Sequence, residues 1–365
     1  LIPSGVIRGK ICFLGQGIVL DPEHFIKEYQ QICDKVSKPK IYLSSNIPLI
    51  LPYHKQLDKI NESILLGEDK IGTTAKGIGP AYQDKVGRKS IKLYDLKSSE
   101  KVREKLENIQ KFYDPILNAY DEETINIDHY ISILDNFYKD VSPLIVDNNY
   151  IKMNFNLNNI LFEGAQGALL DLDHGSYPFV TSSNTISSNI VIGSGLQVDY
   201  QTLGIFKAYA TRVGNGPFPS ELFDEIGDYI AETGVEFGTV TKRKRRCGWL
   251  DLVSLKYSCQ VNRVNELCIT KIDVLNNLKE IKICKSYQGH SFEEINFNDS
   301  DSLKSLSLSE DDFVVFESWG DISEVKNFDS MPHSLKLYIQ YIEEYLKIPI
   351  KVISLGPERN QTIIR

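Results

Sequence analysis

The 365-residue sequence lacks a long hydrophobic run, an excess of basic charge and cysteines at metal-ligand spacing. No apolar run reaches the ~18 residues that a membrane-spanning helix requires, so no membrane span is predicted. The formal net charge is −8, which disfavours proteins that bind nucleic acid non-specifically. The six cysteines include no C-x-x-C pair. We therefore expect neither a zinc site nor a disulfide scaffold, and a reducing compartment, the cytoplasm, is favoured.

Short apolar runs that end in Gly, Ser or Asp alternate along the chain with amphipathic stretches. The apolar runs predict strands buried on both faces, and they lie at 11–15, 41–45, 160–164, 267–273 and 350–356. The amphipathic stretches predict helices capped by Ser99 and Asp128, and another with Pro332 in its first turn. The alternation predicts an α/β fold with a large, mostly parallel central sheet flanked by helices. We expect one domain over residues 1–365, with a helical insertion at about 97–150 and a surface loop or insertion at 298–312.

A glycine-rich loop, Gly72-Thr-Thr-Ala-Lys-Gly-Ile-Gly-Pro80, is followed by Lys85 and Arg88. Its backbone N–H groups and hydroxyls suit a phosphate group, although the glycines alone would equally fit a surface turn. No G-x-x-x-x-G-K-[ST] pattern occurs, so the standard phosphate-binding loop is excluded.

Two polar motifs follow the predicted strand at 160–164. Gln166 lies between glycines at the expected carboxyl edge of the sheet, where its amide suits a base or carbonyl edge; a tight turn is the alternative. Asp171 and His174 form a candidate carboxylate–histidine cluster, and structural hydrogen bonding explains them equally well.

Five consecutive cations, Lys242 to Arg246, follow Thr239-Val-Thr241. One isolated basic run in an acidic protein fits a small polyanionic ligand better than nucleic acid, which usually contacts a broad basic surface. A module that binds RNA or DNA is the alternative.

The segment Thr270-Lys-Ile-Asp273 ends a predicted strand and resembles the [NT]-K-x-D signature of GTP-binding proteins. In that signature the aspartate accepts two N–H bonds from guanine and the lysine stem covers the base. A second strand-to-glycine turn, 354–359, could pack on the same nucleotide.

Together these motifs resemble the adenylosuccinate synthetase family over the whole chain. The matching segments include G-I-G-P-x-Y-x-x-K-x-x-R, E-G-A-Q-G, T-R-V-G-N-G-P-F-P and the basic run ending R-C-G-W. The resemblance implies a GTP-binding-protein-like core and GTP-dependent ligation of IMP and L-aspartate with Mg²⁺. GTP would phosphorylate the 6-oxygen of IMP, and the aspartate amine would then displace that phosphate.

The resemblance also implies roles for individual residues. Lys85 matches the lysine of the family signature. Arg88 would reach the IMP phosphate from the neighbouring subunit, which implies a homodimer. The other residues implied in IMP binding are Thr74, Gln166, Thr181, Val213 and Arg243. Those implied in aspartate binding are Thr239, Val240, Thr241, Lys242, Arg243, Lys244 and Arg245. Those implied in GTP binding are Arg245, Lys271, Ile272, Asp273, Ser354, Leu355 and Gly356.

Three departures from the family pattern lead to further expectations. The resemblance places the family's W-G-D-E-G-K-G segment and a later G-H motif, which carry its catalytic base, acid and metal ligand, upstream of Leu1, so neither stands at its expected place in this chain. We therefore expect a missing N-terminal segment that holds the Mg²⁺ ligands, and an inactive chain. Val240 stands where the family usually has threonine, and Ile186-Ser-Ser188 replaces a glycine-rich stretch. A GTP-binding regulatory protein and an inactive nucleotide-binding homologue are the alternatives.

Overall fold

The computed structural model describes residues 1–65, 72–156, 159–238 and 244–365, and all structural statements below concern these residues. They form two compact units, each discontinuous along the chain. The first unit comprises Leu1–Ala165 and Ser188–Asp199, and the second comprises Gln166–Ser187 and Tyr200–Arg365. Each has a separate hydrophobic core.

The first unit contains a parallel three-stranded sheet in the order β1-β2-β3. Its strands are β1 (Cys12–Leu14), β2 (Ile41–Ser44) and β3 (Ile145–Val146). Its helices are α1 (Pro22–Cys33), α2 (Pro52–Ile64), α3 (Ile78–Val86), α4 (Ser99–Ala119), α5 (Ile127–Val141), α6 (Asn148–Asn154) and α7 (Asn189–Ser194). The predicted strands at 11–15 and 41–45 are thus confirmed, each slightly shorter than expected.

Helices α4 and α5 form the region of the predicted insertion. Ser98 rather than Ser99 caps α4, because its side chain accepts from the Lys101 N–H at 3.3 Å. Asn126 rather than Asp128 caps α5 in the same way. The buried residues of α4 recur every three or four positions, as expected of an amphipathic helix, and they are Val102, Leu106, Ile109, Tyr113 and Leu117.

Glycines join the two pieces of the first unit. The Gly17 N–H donates to the Gly193 carbonyl oxygen at 2.8 Å. A Cβ at Gly17 would lie 2.6 Å from Gly193 Cα, and one at Gly15 would lie 2.4 Å from the Gly193 oxygen. Only glycine permits this close backbone approach at positions 15 and 17.

The second unit contains two four-stranded sheets, in the orders β11-β10-β7-β4 and β5-β6-β8-β9. The strands are β4 (Leu203–Lys207), β5 (Tyr209–Arg212), β6 (Arg246–Asp251), β7 (Glu266–Thr270), β8 (Glu280–Cys284), β9 (Phe313–Glu317), β10 (Ile350–Ser354) and β11 (Thr362–Ile364). The helices are α8 (Glu225–Thr233), α9 (Leu252–Val261), α10 (Ser300–Lys304) and α11 (His333–Leu346). Across the described residues most strand pairs are parallel, which confirms the predicted α/β class.

Three local predictions differ from the structure. Residues 160–164 form no strand, and Leu161 is 82% exposed, because the short apolar run finds no neighbouring strand to pair with. Pro332 precedes α11 as its N-cap instead of lying in its first turn. The stretch 298–312, expected to be a surface loop or insertion, contains the short helix α10, whose Leu303 is buried. No helix in the described part of the chain has the length and apolar character to cross a bilayer.

Candidate functional site

The glycine-rich loop of the first unit is held against α2. Asp58 accepts from the Thr73 hydroxyl at 2.9 Å and from the Gly77 N–H at 2.8 Å. Gly77 has a φ of 75°, and a Cβ there would lie 2.9 Å from the backbone of His54. The loop is therefore fixed at both sides of Thr74, which is itself exposed.

Helix α3 follows this loop and carries Lys85 near its end. Lys85 Nζ donates to the Gln16 carbonyl oxygen at 3.1 Å, and Tyr82 Oη donates to that of Gly17 at 2.6 Å. Burial, with a smaller contribution from Lys92, lowers the pKa of Lys85. Arg88 lies just beyond the helix with an exposed side chain.

Asp84, on the buried side of α3, is the centre of a buried hydrogen-bonded cluster. Tyr53 Oη donates to its carboxylate at 2.5 Å, His54 Nε2 lies at 3.1 Å, and Tyr113 Oη donates to the other oxygen. His54 Nδ1 accepts from the Leu51 N–H at 2.9 Å, so the ring is neutral with its proton on Nε2. Burial alone would raise the pKa of Asp84, but the three hydrogen bonds hold it below its ordinary value. Sequence reasoning missed this cluster.

In the second unit, Asp171 is fully buried and accepts mainly from backbone groups. Its donors are the N–H groups of Asp173, His174, Thr185 and Ile186, with the side chain of Asn184. These bonds outweigh burial and lower its pKa. Both carboxylate oxygens thus have structural partners, which favours the structural alternative over a catalytic cluster with His174.

The second unit also contains three predicted IMP contacts, and all three lie on irregular segments: Gln166, Thr181 and Val213. Gln166 is exposed, with a φ of 63°. The Thr181 N–H donates to the Leu170 carbonyl oxygen at 2.8 Å. Val213 is exposed beside Arg212, which donates to Ser176 Oγ at 3.0 Å. Thr74 and Arg88 belong to the first unit.

The predicted guanine-binding residues meet at one sheet edge. Strands β4, β7 and β10 are adjacent and parallel, so their carboxyl ends lie side by side. Lys207 at the end of β4 lies opposite Thr270 at the end of β7, and β10 ends at Ser354. Lys271 Nζ donates to the Gly234 carbonyl oxygen at 2.8 Å, and Ser354 Oγ donates to that of Gly356 at 3.0 Å. Burial raises the pKa of Asp273.

A second buried carboxylate, Glu236, lies beside this edge. It accepts from Lys207 Nζ at 2.8 Å, from Tyr209 Oη at 2.6 Å and from Arg245 Nη1 at 2.6 Å. Burial alone would raise the pKa of Glu236, and these donors instead lower it.

Carboxylates of the chain pair with the described part of the basic run. Lys244 contacts Asp228 at 2.6 Å, Arg245 contacts Glu236, and Arg246 contacts Glu221. Carboxylates that lie 9 to 25 residues earlier in the chain therefore offset part of the charge of these three cations. The predicted aspartate-binding residues Thr239, Val240, Thr241, Lys242 and Arg243 lie outside the described residues.

Comparisons with known proteins agree with this arrangement. A family model described as Adenylosuccinate synthetase matches residues 1–363. The chain belongs to the adenylosuccinate synthetase family. The chain is 42% identical to the Chlorobaculum tepidum adenylosuccinate synthetase and 43% identical to that of Hahella chejuensis, in each case over 100% of this chain and 86% of the relative. The fully ligated Plasmodium falciparum adenylosuccinate synthetase superposes with a TM-score of 0.90 at 33% identity, over 100% of this chain and 87% of that one.

Membership of the adenylosuccinate synthetase family makes this chain a ligase of purine biosynthesis that uses GTP. The relatives match the whole of this chain and 86–87% of their own length, and these matches show neither the expected loss of an N-terminal segment nor the inactivity inferred from it. They give no support either to placing the Mg²⁺ ligands in such a segment. Within the described residues, no group of three or more His, Cys, Asp or Glu side chains is arranged to hold a metal ion.

Proposed function

We propose that this chain ligates IMP and L-aspartate to adenylosuccinate at the expense of GTP, through a 6-phosphoryl-IMP intermediate. The observation that carries the proposal is the shared carboxyl edge of β4, β7 and β10, which brings Lys271 and Asp273 beside Ser354. Ligands of open α/β sheets bind outside such edges.

At this edge, Asp273 would select guanine over adenine. Its carboxylate can accept from both the ring N–H and the exocyclic amine of guanine, whereas adenine offers no such pair of donors. The Lys271 stem would cover the base, and Ser354, Leu355 and Gly356 would close over it. The raised pKa of Asp273 reflects burial, which also strengthens a hydrogen bond made there.

The IMP-binding residues would combine hydroxyls, an amide and cations. Thr74 and Thr181 would donate to the 5′-phosphate, and Arg88 would reach it from the second subunit of a homodimer. Gln166 would face the base near its 6-oxygen, and the Val213 backbone would contact the ribose. Thr74 and Arg88 are both exposed, as this role requires.

The chemistry follows from leaving-group quality. An amine does not expel a carbonyl oxygen from a purine, but it does expel phosphate once that oxygen has been phosphorylated. Cations beside the transferring phosphoryl group stabilise its charge. Lys85 and Arg243, with the rest of Thr239 to Arg245, would contribute this charge and hold the aspartate carboxylates. The family uses Mg²⁺, but the described residues show no ligand group for it, and no step is assigned to the ion.

We further propose that residues 1–365 act as one synthetase domain, in the cytoplasm, with the helices of 97–150 as an insertion. The family model that spans residues 1–363 supports this proposal.

The test combines turnover with base selectivity. The chain is incubated with IMP, L-aspartate, Mg²⁺ and either GTP or ATP, and adenylosuccinate is measured by chromatography. We expect product with GTP only. We expect Asp273→Asn to weaken the binding of GTP and to strengthen the binding of xanthosine triphosphate, because the asparagine amide can donate to the 2-oxo group of xanthine. GTP binding without product would favour a regulatory GTP-binding protein or an inactive homologue, and unchanged GTP affinity in the variant would refute the assignment of Asp273.

A further inference from the structure

Glu236 has no role among the residues that the family resemblance implies, yet it is 1% exposed and contacts three of the side chains around the sheet edge. Oε1 accepts from Lys207 and Tyr209, and Oε2 accepts from Lys207 and Arg245. All of these donor–acceptor distances lie between 2.6 and 2.8 Å. Both carboxylate oxygens are therefore fully engaged.

The backbone around Glu236 is held just as firmly. Its N–H donates to the Ala231 carbonyl oxygen at 2.8 Å, and its own carbonyl accepts from the Arg245 N–H at 2.8 Å. The next residue, Phe237, forms an antiparallel bridge with Lys244. Two residues earlier, the Gly234 carbonyl accepts from Lys271 Nζ. The turn at 234–237 therefore contacts both the last residues of the basic run and Lys271 of the Thr270–Asp273 segment.

The charges around this turn do not balance. Lys207, Arg245 and Lys271 are close enough to influence one another, since Arg245 and Lys271 both act to lower the pKa of Lys207 after the larger effect of burial. Glu236 opposes the charges of Lys207 and Arg245, and Asp273 opposes that of Lys271, so three cations face two carboxylates. Lys207 and Arg245 nevertheless keep 26% and 28% of their side-chain surface exposed. The cluster thus presents net positive charge at the edge.

We propose that Glu236 is a positioning residue for the nucleotide: it holds Arg245 and Lys207 in place beside the Thr270–Asp273 edge, so that the phosphates of GTP meet cations of fixed geometry. This inference rests on the proposed binding of GTP at that edge. Preorganised cations bind an anion more tightly than mobile ones because their side-chain entropy is lost before binding.

The first test is Glu236→Gln, which keeps the size of the side chain and removes its charge. Binding of GTP with Mg²⁺ to the full chain is measured by titration calorimetry, and folding is checked by thermal melting. We expect the dissociation constant for GTP to rise about tenfold, because Arg245 and Lys207 would then repel each other without a shared anion. Glu236→Asp keeps the charge with a shorter reach, and we expect it to recover part of the affinity.

A double-mutant cycle separates positioning from a general structural effect. If Glu236 acts through Arg245, the Arg245→Met variant should lose affinity for GTP, and adding Glu236→Gln to it should weaken binding by much less than tenfold. Additive effects of the two changes would contradict action through Arg245.

Glu221→Gln is the matched control, because Glu221 holds Arg246, the next cation of the same run. We expect this control to lower the melting temperature but to leave GTP affinity unchanged. An equal loss of GTP affinity in the control would overturn the proposal, as would wild-type affinity in a folded Glu236→Gln protein. If the glutamine variant does not fold, Arg245→Met decides instead, and wild-type GTP affinity in that folded variant refutes the proposal, because Glu236 would then hold no side chain that the nucleotide uses. Failure of the unaltered chain to bind GTP would instead refute the proposed function, and this inference with it.

Discussion

Each unit buries carboxylates among hydrogen-bond donors, and two of these clusters, one in each unit, differ in the charge of their donors. Asp84 in the first unit and Glu236 in the second are each 1% exposed, and both have lowered pKa values. Asp84 is held by two tyrosines and a neutral histidine, all buried. Glu236 is held by one tyrosine and two cations that remain partly exposed.

This difference separates a cluster that can only support the fold from one that can also meet a ligand. The donors around Asp84 are buried, so they cannot contact a ligand directly. They can affect ligand binding only by fixing the position of α3. The cations around Glu236 reach the surface at a sheet edge. The low pKa alone therefore does not identify a functional site, and the exposure of the partners is the more informative observation.

The largest effect is expected from Asp84→Ala, which leaves three buried donors without an acceptor. We expect a loss of about 4 kcal/mol in the free energy of unfolding, because each unsatisfied buried donor costs about 1–3 kcal/mol. Urea unfolding followed by circular dichroism measures it, with Asp84→Asn as the milder control. A loss below about 1 kcal/mol would show that water replaces the carboxylate and that the cluster is not closed.

A matched pair of tyrosine substitutions sharpens the comparison. Tyr113→Phe and Tyr209→Phe each remove one hydroxyl that donates to a buried carboxylate. We expect losses of about 2 kcal/mol at Tyr113 and about 1 kcal/mol at Tyr209, since Glu236 keeps two cationic donors and Asp84 keeps only neutral ones. Equal losses in the same unfolding assay would mean that donor charge is unimportant.

Acid should weaken both clusters. Because the folded-state pKa values of Asp84 and Glu236 are lowered, their stabilisation is complete above the unfolded-state values of about 3.9 and 4.3 and is lost as the pH falls through the lower folded values. The stability gap between the unaltered chain and Asp84→Asn or Glu236→Gln should therefore shrink by roughly 1 kcal/mol between pH 7 and about pH 3. A stability gap that widens in acid would mean that folding raises the pKa values of these carboxylates instead of lowering them.

The smallest effect is expected from salt. Raising NaCl from about 0.05 M to about 1 M screens partly exposed charges and leaves buried neutral donors unaffected. The loss of unfolding free energy caused by Glu236→Gln should thus be about 0.5 kcal/mol smaller at the higher salt concentration. The loss caused by Asp84→Asn should be the same at both concentrations. Unfolding midpoints at the two salt concentrations measure both, and an equal response of the two variants would remove the distinction.

Local patterns predicted much of the fold. The spacing of apolar residues in α4 and α11, and the strands β1, β2, β7 and β10, followed from side-chain periodicity and strand-end residues. The run at 160–164 looked the same, but an apolar run becomes a strand only where a neighbouring strand pairs with it. Capping was predicted to within two residues because Ser, Asp and Asn compete for the same position.

The residues of the sheet edge could also be predicted, because Lys271 directly follows β7 and Ser354 is the last residue of β10. The two buried clusters could not. Tyr53 and Asp84 are 31 residues apart, and Lys207 and Glu236 are 29 apart. No periodicity links such pairs, and they meet only after the strands and helices have packed. The same holds for the carboxylates that pair with Lys244, Arg245 and Arg246.

The contact of Gly17 with Gly193 has a consequence for synthesis of the chain. The first unit contains the earliest residues of this sequence, yet its last piece, Ser188–Asp199, is translated only after 166–187 of the second unit. At ribosomal rates of ~5–20 residues per second, the Gly17 N–H waits on the order of ten to forty seconds for its acceptor. Completion of the first unit is therefore a late event on the ribosome, and a nascent chain stalled before residue 188 would expose the glycine surface that this contact covers.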